Sequence, residues 1–423
     1  MLPNLRRAVW MLGASQTVYW GVLYYGFSVL LVPMETELGL SRIVVAGAFS
    51  ASLLVTALAA PLIGRWIDRD RGAVLMRVGV CVAVAGLFLN AQITTPLGLY
   101  VAWIVIGIAM AALLYEPAFG LVIRTVDDSL DRLRALATVT IFGGLASTVF
   151  MPLVGFSVVA LGWRNTQIVG ITMILVAAWG LERYTFPVLT AHRVASFARS
   201  ATVPAEATKI AVSTKPRGYV ALVAIFVMGT LASMGLTTLL IPLLIERGHS
   251  ASAAAIVLAM LGVAQLPGRI WMLHGGHGTS LNTLVTLPLI LQAAGLGIVA
   301  VTPNVFITAL GIAIFGVGAG LQTLARPWLI QQLYGAAQAG HWNSRVARLQ
   351  GLARAAGPIG AAALSMTGGT AFVFGGLSLA VLGMLPFGWS LLRCADGAQT
   401  SLNSSSIALR NSLDLTAIRL VAR

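Results

Sequence analysis

Residues 78–115 read VGVCVAVAGLFLNAQITTPLGLYVAWIVIGIAMAALLY, and from Val78 to Tyr115 there is no Asp, Glu, Lys or Arg. One helical crossing of a bilayer takes roughly 20 apolar residues, so this run holds two crossings. Thr94-Thr95-Pro96 marks the turn between them, since proline stops one helix and can begin the next. The windows Gly218–Ile245, Ile270–Ala325 and Ala355–Leu392 are equally free of charge. Thr302-Pro303-Asn304 divides the second of these, and Thr367-Gly368-Gly369-Thr370 the last. Loops this short leave no room for a globular domain outside the membrane.

The rest of the chain agrees. Only 9% of its 423 residues are charged and 58% are hydrophobic, against roughly 25% charged in a soluble domain. Strand-period alternation is nowhere sustained, and backbone exposed to lipid must satisfy its own hydrogen bonds, so the spans are helices. They are expected at 10–33, 42–63, 73–93, 97–123, 136–160, 166–186, 219–243, 251–268, 279–301, 305–329, 346–366 and 371–392. Trp10–Pro33 is too long and too aromatic for a cleaved signal sequence and counts as the first span. The expected fold class is an all-α integral membrane protein with twelve transmembrane helices. Its 45 glycines, in patterns such as Gly316-x-x-x-Gly320, suit close helix packing in lipid.

The net charge of +14 follows topology rather than forming a basic domain, so no nucleic-acid partner is expected. With the N-terminus in the cytoplasm, only Arg42, Arg164 and Arg247 of the 27 Lys and Arg fall outside; the opposite orientation inverts the usual bias. Both termini are therefore expected to be cytoplasmic, in a bacterial inner membrane. The expected units are an N-terminal six-helix bundle (1–186), a basic cytoplasmic linker (187–218), a C-terminal six-helix bundle (219–392) and a cytoplasmic tail (393–423). Cys81 and Cys394 are too far apart in sequence to suggest a disulfide framework or a metal site, and the five His lie in or near loops, among them His274 and His277. No metal, cofactor or enzymatic motif is expected, and the chain is expected to act as a monomer.

The halves repeat. Pro33-x-x-x-Glu37-x-Gly39-x-Ser41 returns as Pro242-x-x-x-Glu246-x-Gly248-x-Ser250, 209 residues later, and Glu116-Pro117 returns as Arg326-Pro327, 210 later. Pro152 and Pro358 are about as far apart. Internal symmetry between two bundles, with a solute site between them, is how many secondary transporters are built.

The loop Gly64-Arg65-Trp66-Ile67-Asp68-Arg69-Asp70-Arg71-Gly72 is similar to the G-x-x-x-D-R-x-G-R-R loop of the major facilitator superfamily, although its second glycine comes one place late. Gly268-Arg269 echoes it in the second half without the Asp, and Gly162-Trp163-Arg164 also looks like a family feature. The resemblance spans essentially the whole chain and implies two pseudo-symmetric six-helix bundles working by alternating access. It further implies that Gly64, Asp68 and Arg69 form a gating loop that latches the inner face when the carrier is open outward. Physically, Gly64 permits close helix approach, and Asp68 suits a neighbouring helix N-terminus. Two departures weaken a reading as a drug antiporter: Trp103 stands where those members carry an arginine, and Met151-Pro152-Leu153-Val154-Gly155 departs from their fifth-span motif.

Glu116 and Arg326 are the charges set furthest into the spans. A charge in a bilayer costs roughly 2.5–3.5 kcal/mol on insertion scales and must be paired or wet. Each precedes a proline, which frees the carbonyl of Leu113 or of Thr323. The expectation is that the two pair across a central cavity, and that an anionic solute competes for Arg326 and leaves Glu116 free to take a proton. Arg354 is expected to be an inner-leaflet snorkeller. Around the pair, Gln16, Trp20, Tyr24 and Phe27 share one helical stripe, Gln322 precedes Arg326 by one turn, and Tyr115 adjoins Glu116. The function expected is secondary transport of a small organic solute, an anion preferred, coupled to a proton or another ion. The alternatives are a proton-coupled exporter of cationic or neutral amphipaths and a transporter-like sensor.

Overall fold

The computed structural model describes residues 3–69, 71–126, 128–192, 218–274, 280–334 and 336–393. Nearly all of them are helical, and among the described residues there is no strand. The helices are α1 (Pro3–Leu38), α2 (Arg42–Asp68), α3 (Gly72–Gln92), α4 (Pro96–Thr125), α5 (129–161), α6 (163–192), α7 (Tyr219–Glu246), α8 (Ala251–His274), α9 (Leu281–Val301), α10 (Val305–Tyr334), α11 (Ala336–Gly368) and α12 (Thr370–Arg393).

Among the described residues, ten helical stretches are long and apolar enough to cross a membrane. One of them, Arg134–His192, is 59 residues long. It is broken at Gly162, whose φ of 78° is ordinary only for glycine, and so supplies both α5 and α6. Helix α11 is not among the ten. It is long enough at 33 residues, but glycines and the arginines at 345, 348 and 354 lower its hydropathy. Each span expected from the sequence thus coincides with a helix. The boundaries moved where a polar first or last turn carries a helix past its apolar core: α5 begins at 129, α11 begins at 336, and α6 runs on to 192. Most of the expected linker and tail, with Cys394, lies outside the described residues.

Packing repeats with an offset of six helices. In the first half α2 and α3 pack on α4, α3 on α6 and α1 on α5; in the second, α8 and α9 pack on α10, α9 on α12 and α7 on α11. The halves meet where α2 lies along α11, α8 along α5 and α1 against α7. Small residues set the approach of helices that gain no hydrophobic drive from one another in lipid. A Cβ on Gly320 would come within 2.2 Å of the Gln265 carbonyl oxygen, and one on Gly316 within 2.5 Å of Ala264 Cβ. At Gly64 the expected close approach of another helix is not seen, since among the described residues no atom outside its own helix backbone lies within 4 Å of where its Cβ would be. The close approach near that end of α2 occurs at Gly120 of α4, where a Cβ would meet Ile67 at 2.5 Å.

The two ends of the bundle are labelled outer and inner after the charge bias of the sequence. At the outer end the repeated motif turns the chain alike in both halves, with Gly39 at φ 63° and Gly248 at φ 86°. The motif's carboxylates have matching tasks. Glu37 accepts from Trp163 Nε1 (2.6 Å) and Arg164 Nε (2.7 Å). Glu246 accepts from Arg42 Nη1 (3.0 Å) and the Thr370 hydroxyl (2.9 Å). Arg42 also reaches Glu35 of its own half at 3.3 Å, so one guanidinium joins α1, α7 and α12. A cleft of about 380 Å³ opens over this clasp. The other two outer arginines cap helix C-termini: Arg164 donates to the Ala91 carbonyl (2.8 Å), and Arg247 to those of Val299, Ala300 and Thr302 (2.6–2.8 Å).

Deeper in the seam, Ser50 Oγ accepts from the Ile359 N–H (3.0 Å), Thr148 Oγ1 donates to the Ala259 carbonyl (3.2 Å) and the Tyr24 hydroxyl donates to Met234 Sδ (3.3 Å). The clasp above these contacts should hold the outer end shut. In a background of Cys81→Ser and Cys394→Ser, Arg42→Gln is expected to raise severalfold the labelling of Ser50→Cys by a membrane-impermeant maleimide. An unchanged labelling rate would remove the clasp from the gate.

Candidate functional site

Helix α4 breaks at Leu114, whose ψ of −154° is extended rather than helical. Pro117 has no N–H to return to the Leu113 carbonyl, and a bare carbonyl inside a membrane bundle costs several kcal/mol, of order ~2–7 by transfer scales. Gln16 of α1 supplies the missing donor: its Nε2 lies 2.8 Å from Leu113 O, and the side chain is fully buried. The sequence pointed to Gln16 as a solute contact. In the structure its NH₂ is committed to the break, while its Oε1 is buried without a hydrogen-bond partner.

The break starts a new helical segment at Tyr115, which puts Glu116 in its first turn, where the positive end of the helix dipole favours a carboxylate. Glu116 is exposed and forms no ion pair among the described residues. Aromatic rings stand beside it. Trp20 lies 4.8 Å from Tyr115, Tyr115 stacks on Phe119 at 5.0 Å and 9°, and Trp20 meets Tyr24 edge-on at 5.1 Å. Tyr115 fits because α5 presents Gly143 to it, where a Cβ would collide with the Tyr115 hydroxyl at 2.3 Å.

The expected stripe on α1 is interrupted. A π-turn at Gly21–Tyr25 advances the register by one residue. Phe27 is left fully buried, stacked on Phe49 at 4.1 Å and edge-on to Trp103 at 5.1 Å. Trp103, at the place of the antiporter arginine, is thus a core aromatic.

In the second half α10 continues unbroken through Arg326, so the pseudo-symmetry at the two proline sites is incomplete. By rise alone, Glu116 and Arg326 lie at matching depths, each ~30 Å from the outer end of its helix. They do not pair in this conformation, which corrects the expected ion pair. Arg326 Nη1 instead donates to Gln350 Oε1 on α11. Gln350 Nε2 in turn donates to the Phe226 carbonyl (3.1 Å) and the Thr230 hydroxyl (2.9 Å) on α7. The amide is thereby oriented, with its oxygen towards the guanidinium. Gln322 is buried and lies in a separate network, accepting from Gln292 Nε2 (3.1 Å) and donating to the Ile225 carbonyl (3.3 Å). Gly229 leaves room for it, since a Cβ there would sit 2.1 Å from Gln322 Oε1.

One candidate escaped the sequence reading, and a second was given mainly another role. Gln350 is uncharged and sits in a polar run, so hydropathy gave no signal. Arg354, one turn further along α11, was expected to snorkel to the membrane surface. In the structure it is exposed and stands one helical turn from Gln350, on the same face of α11. Helical spacing of Gln350, Arg354 and Pro358 was the available clue. In the inner loop, Arg69 is exposed and the Arg71 guanidinium lies 5.9 Å from the Trp66 ring. The side chain of Asp68, the remaining residue of the expected latch, lies outside the described residues.

A membrane-spanning bundle of two equivalent halves, clasped at one end and holding polar groups along the seam, is the architecture of a carrier. The chain belongs to the Major Facilitator Superfamily, whose sequence pattern it matches over residues 14–358. It is a multi-pass integral membrane protein of a class that transports small solutes across membranes. Its fold is similar to that of the nucleoside transporter NupG (TM-score 0.71, 12% identity, covering 92% of this chain and 99% of that one). It also resembles an inward-facing, occupied bacterial homologue of the human lysosomal transporter Spinster (TM-score 0.68, 13% identity, 94% and 98% covered). A POT family transporter in complex with 5-aminolevulinic acid is comparable (TM-score 0.69, 13% identity, 91% and 96% covered). No curated protein matches the sequence.

Loss of the Gln16 donor should be felt as stability. Gln16→Leu strands the Leu113 carbonyl and is expected to cost about 1–3 kcal/mol, read as a lower thermal midpoint of the purified protein in detergent. A midpoint equal to that of the unsubstituted chain would show that the break is held by something else.

Proposed function

We propose that this chain is a secondary active transporter that moves a small organic anion by alternating access, with Arg326 as the anion contact and Glu116 as the proton site. The observation that carries the reading is the partnering of Arg326. Its guanidinium is held by a neutral amide, so its positive charge stays available to a solute, whereas a structural ion pair would have consumed it. A guanidinium fork also matches the geometry of a carboxylate or phosphate.

Glu116 supports the coupling half of the proposal. It is a carboxylate within a span, without an ion pair, at the start of a broken helix segment, and discontinuous helices commonly form solute and ion sites in carriers. With the outer end clasped by Arg42, solute reaches these groups from the inner end. Closure there falls to the loop of Gly64, Asp68 and Arg69 in the outward-open state. We place both termini on the inner face of a bacterial inner membrane, because the charge bias supports that orientation, and take the two six-helix halves as the moving units of a monomer.

A second reading has its own support. The rings of Trp20, Tyr24, Tyr115 and Phe119 run together beside Glu116, and such a wall suits export of an amphipathic cation. Proteoliposomes with an imposed pH gradient separate the two. For an anion carrier, Arg326→Gln should lower uptake tenfold or more, on the order of one lost charged hydrogen bond. Glu116→Gln should keep solute counterflow but lose accumulation driven by the gradient. Full transport by Arg326→Gln, with none by Glu116→Gln, would favour the cation exporter.

A further inference from the structure

In the second half two arginines, Arg326 and Arg354, are linked through one face of α11, and among the described residues neither has a carboxylate partner. Arg326 is held by Gln350 through one Nη, and its Nε is buried without a hydrogen-bond partner. Gln350 cannot neutralise it, because the amide is uncharged and its NH₂ is committed to Phe226 O and Thr230 Oγ1. Arg354 follows Gln350 by four residues, so the two side chains stand on one face of α11. Arg354 is exposed and makes no hydrogen bond or ion pair among the described residues, so through Gln350 it stands one turn of α11 from the group that holds Arg326. The Tyr24 hydroxyl of α1 lies on the seam, 3.3 Å from Met234 Sδ of α7.

Like charges held near one another in a membrane bundle repel, and the buried Nε of Arg326 has also lost its hydration. A lone anionic group on a solute would offset only one of the two. Geometry and charge match when a solute brings two anionic groups, each able to accept a guanidinium fork.

We propose that Arg326 and Arg354 form a two-point site for a small organic dianion, one anionic group at each arginine, with Gln350 holding Arg326 in position. This deepens the anion reading above and rests on it. The solute class is a short-chain dicarboxylate, whose two carboxylates stand a few ångströms apart.

Thermal stabilisation of the purified full-length protein tests the proposal, since a ligand bound only to the folded state raises its midpoint. The probes are succinate and glutarate, with butyrate as the matched monoanion. All are compared at one ionic strength and at a pH above both carboxylate pKa values. At least one of the two dicarboxylates is expected to bind on the order of tenfold more tightly than butyrate, about what one added charged contact supplies. Arg354→Gln should abolish that preference and keep weak monoanion binding, while Arg354→Lys, which keeps the charge, should retain part of it.

Equal stabilisation by dianions and monoanions, no stabilisation by any dianion, or a preference that survives Arg354→Gln would overturn the two-point site. The first and last of these leave the single-arginine anion reading standing as long as Arg326→Gln abolishes binding. Binding of the monoanions that Arg326→Gln does not disturb would bring down that reading as well.

Discussion

Hydrocarbon offers no hydrogen bonds, so every backbone N–H and C=O in the spans must find its partner within the protein. That constraint makes each span a helix, and any interruption needs a specific repair. The break in α4 is such an interruption. Pro117 cannot bond to the Leu113 carbonyl, the chain turns extended at Leu114, and the buried Gln16 amide reaches across from α1 to satisfy the oxygen. The same break sets Glu116 at the start of a helical segment. A backbone vacancy, a scaffolding amide and a candidate proton site are thus one local structure.

The second half solves the matching problem differently. Helix α10 stays continuous, and its inward charge is steadied by a side-chain relay from Arg326 through Gln350 to the α7 backbone. Two bundles with the same packing scheme therefore present unlike chemistry at like depth, a carboxylate on one side and guanidinium groups on the other. Symmetry fixes where the groups stand. The local sequence then decides what they are.

Much of the architecture was legible in the sequence because hydropathy and charge are properties of whole segments. The charge-free windows located the spans, and the repeated Pro-Glu-Gly-Ser motif foretold the equivalent turns at Gly39 and Gly248. The three arginines that break the charge bias were also visible as exceptions; the structure gives each a carboxylate or a helix end to bind. What stayed hidden depended on pairwise geometry. Sequence could not show that Gln16 and Gln322 are committed to packing, that a π-turn removes Phe27 from the stripe, or that Gly64 faces open space. Nor could it tell that Arg326 would choose an amide over Glu116, since both partners lie at compatible depth and only the rotation of each helix decides between them.

The outer clasp has an asymmetry that bears on how easily the halves part. Arg42 touches Glu246 and Thr370 across the seam but Glu35 within its own half. When the halves separate, the guanidinium keeps its local counterion and sheds only the distant one. Ion pairs at a water-exposed rim contribute only about 0–1 kcal/mol, and with Glu246 44% exposed beneath an open cleft losing the distant partner costs little on opening. The shut and parted arrangements can then lie close in energy, so that cargo, rather than the lock itself, tips the balance between them.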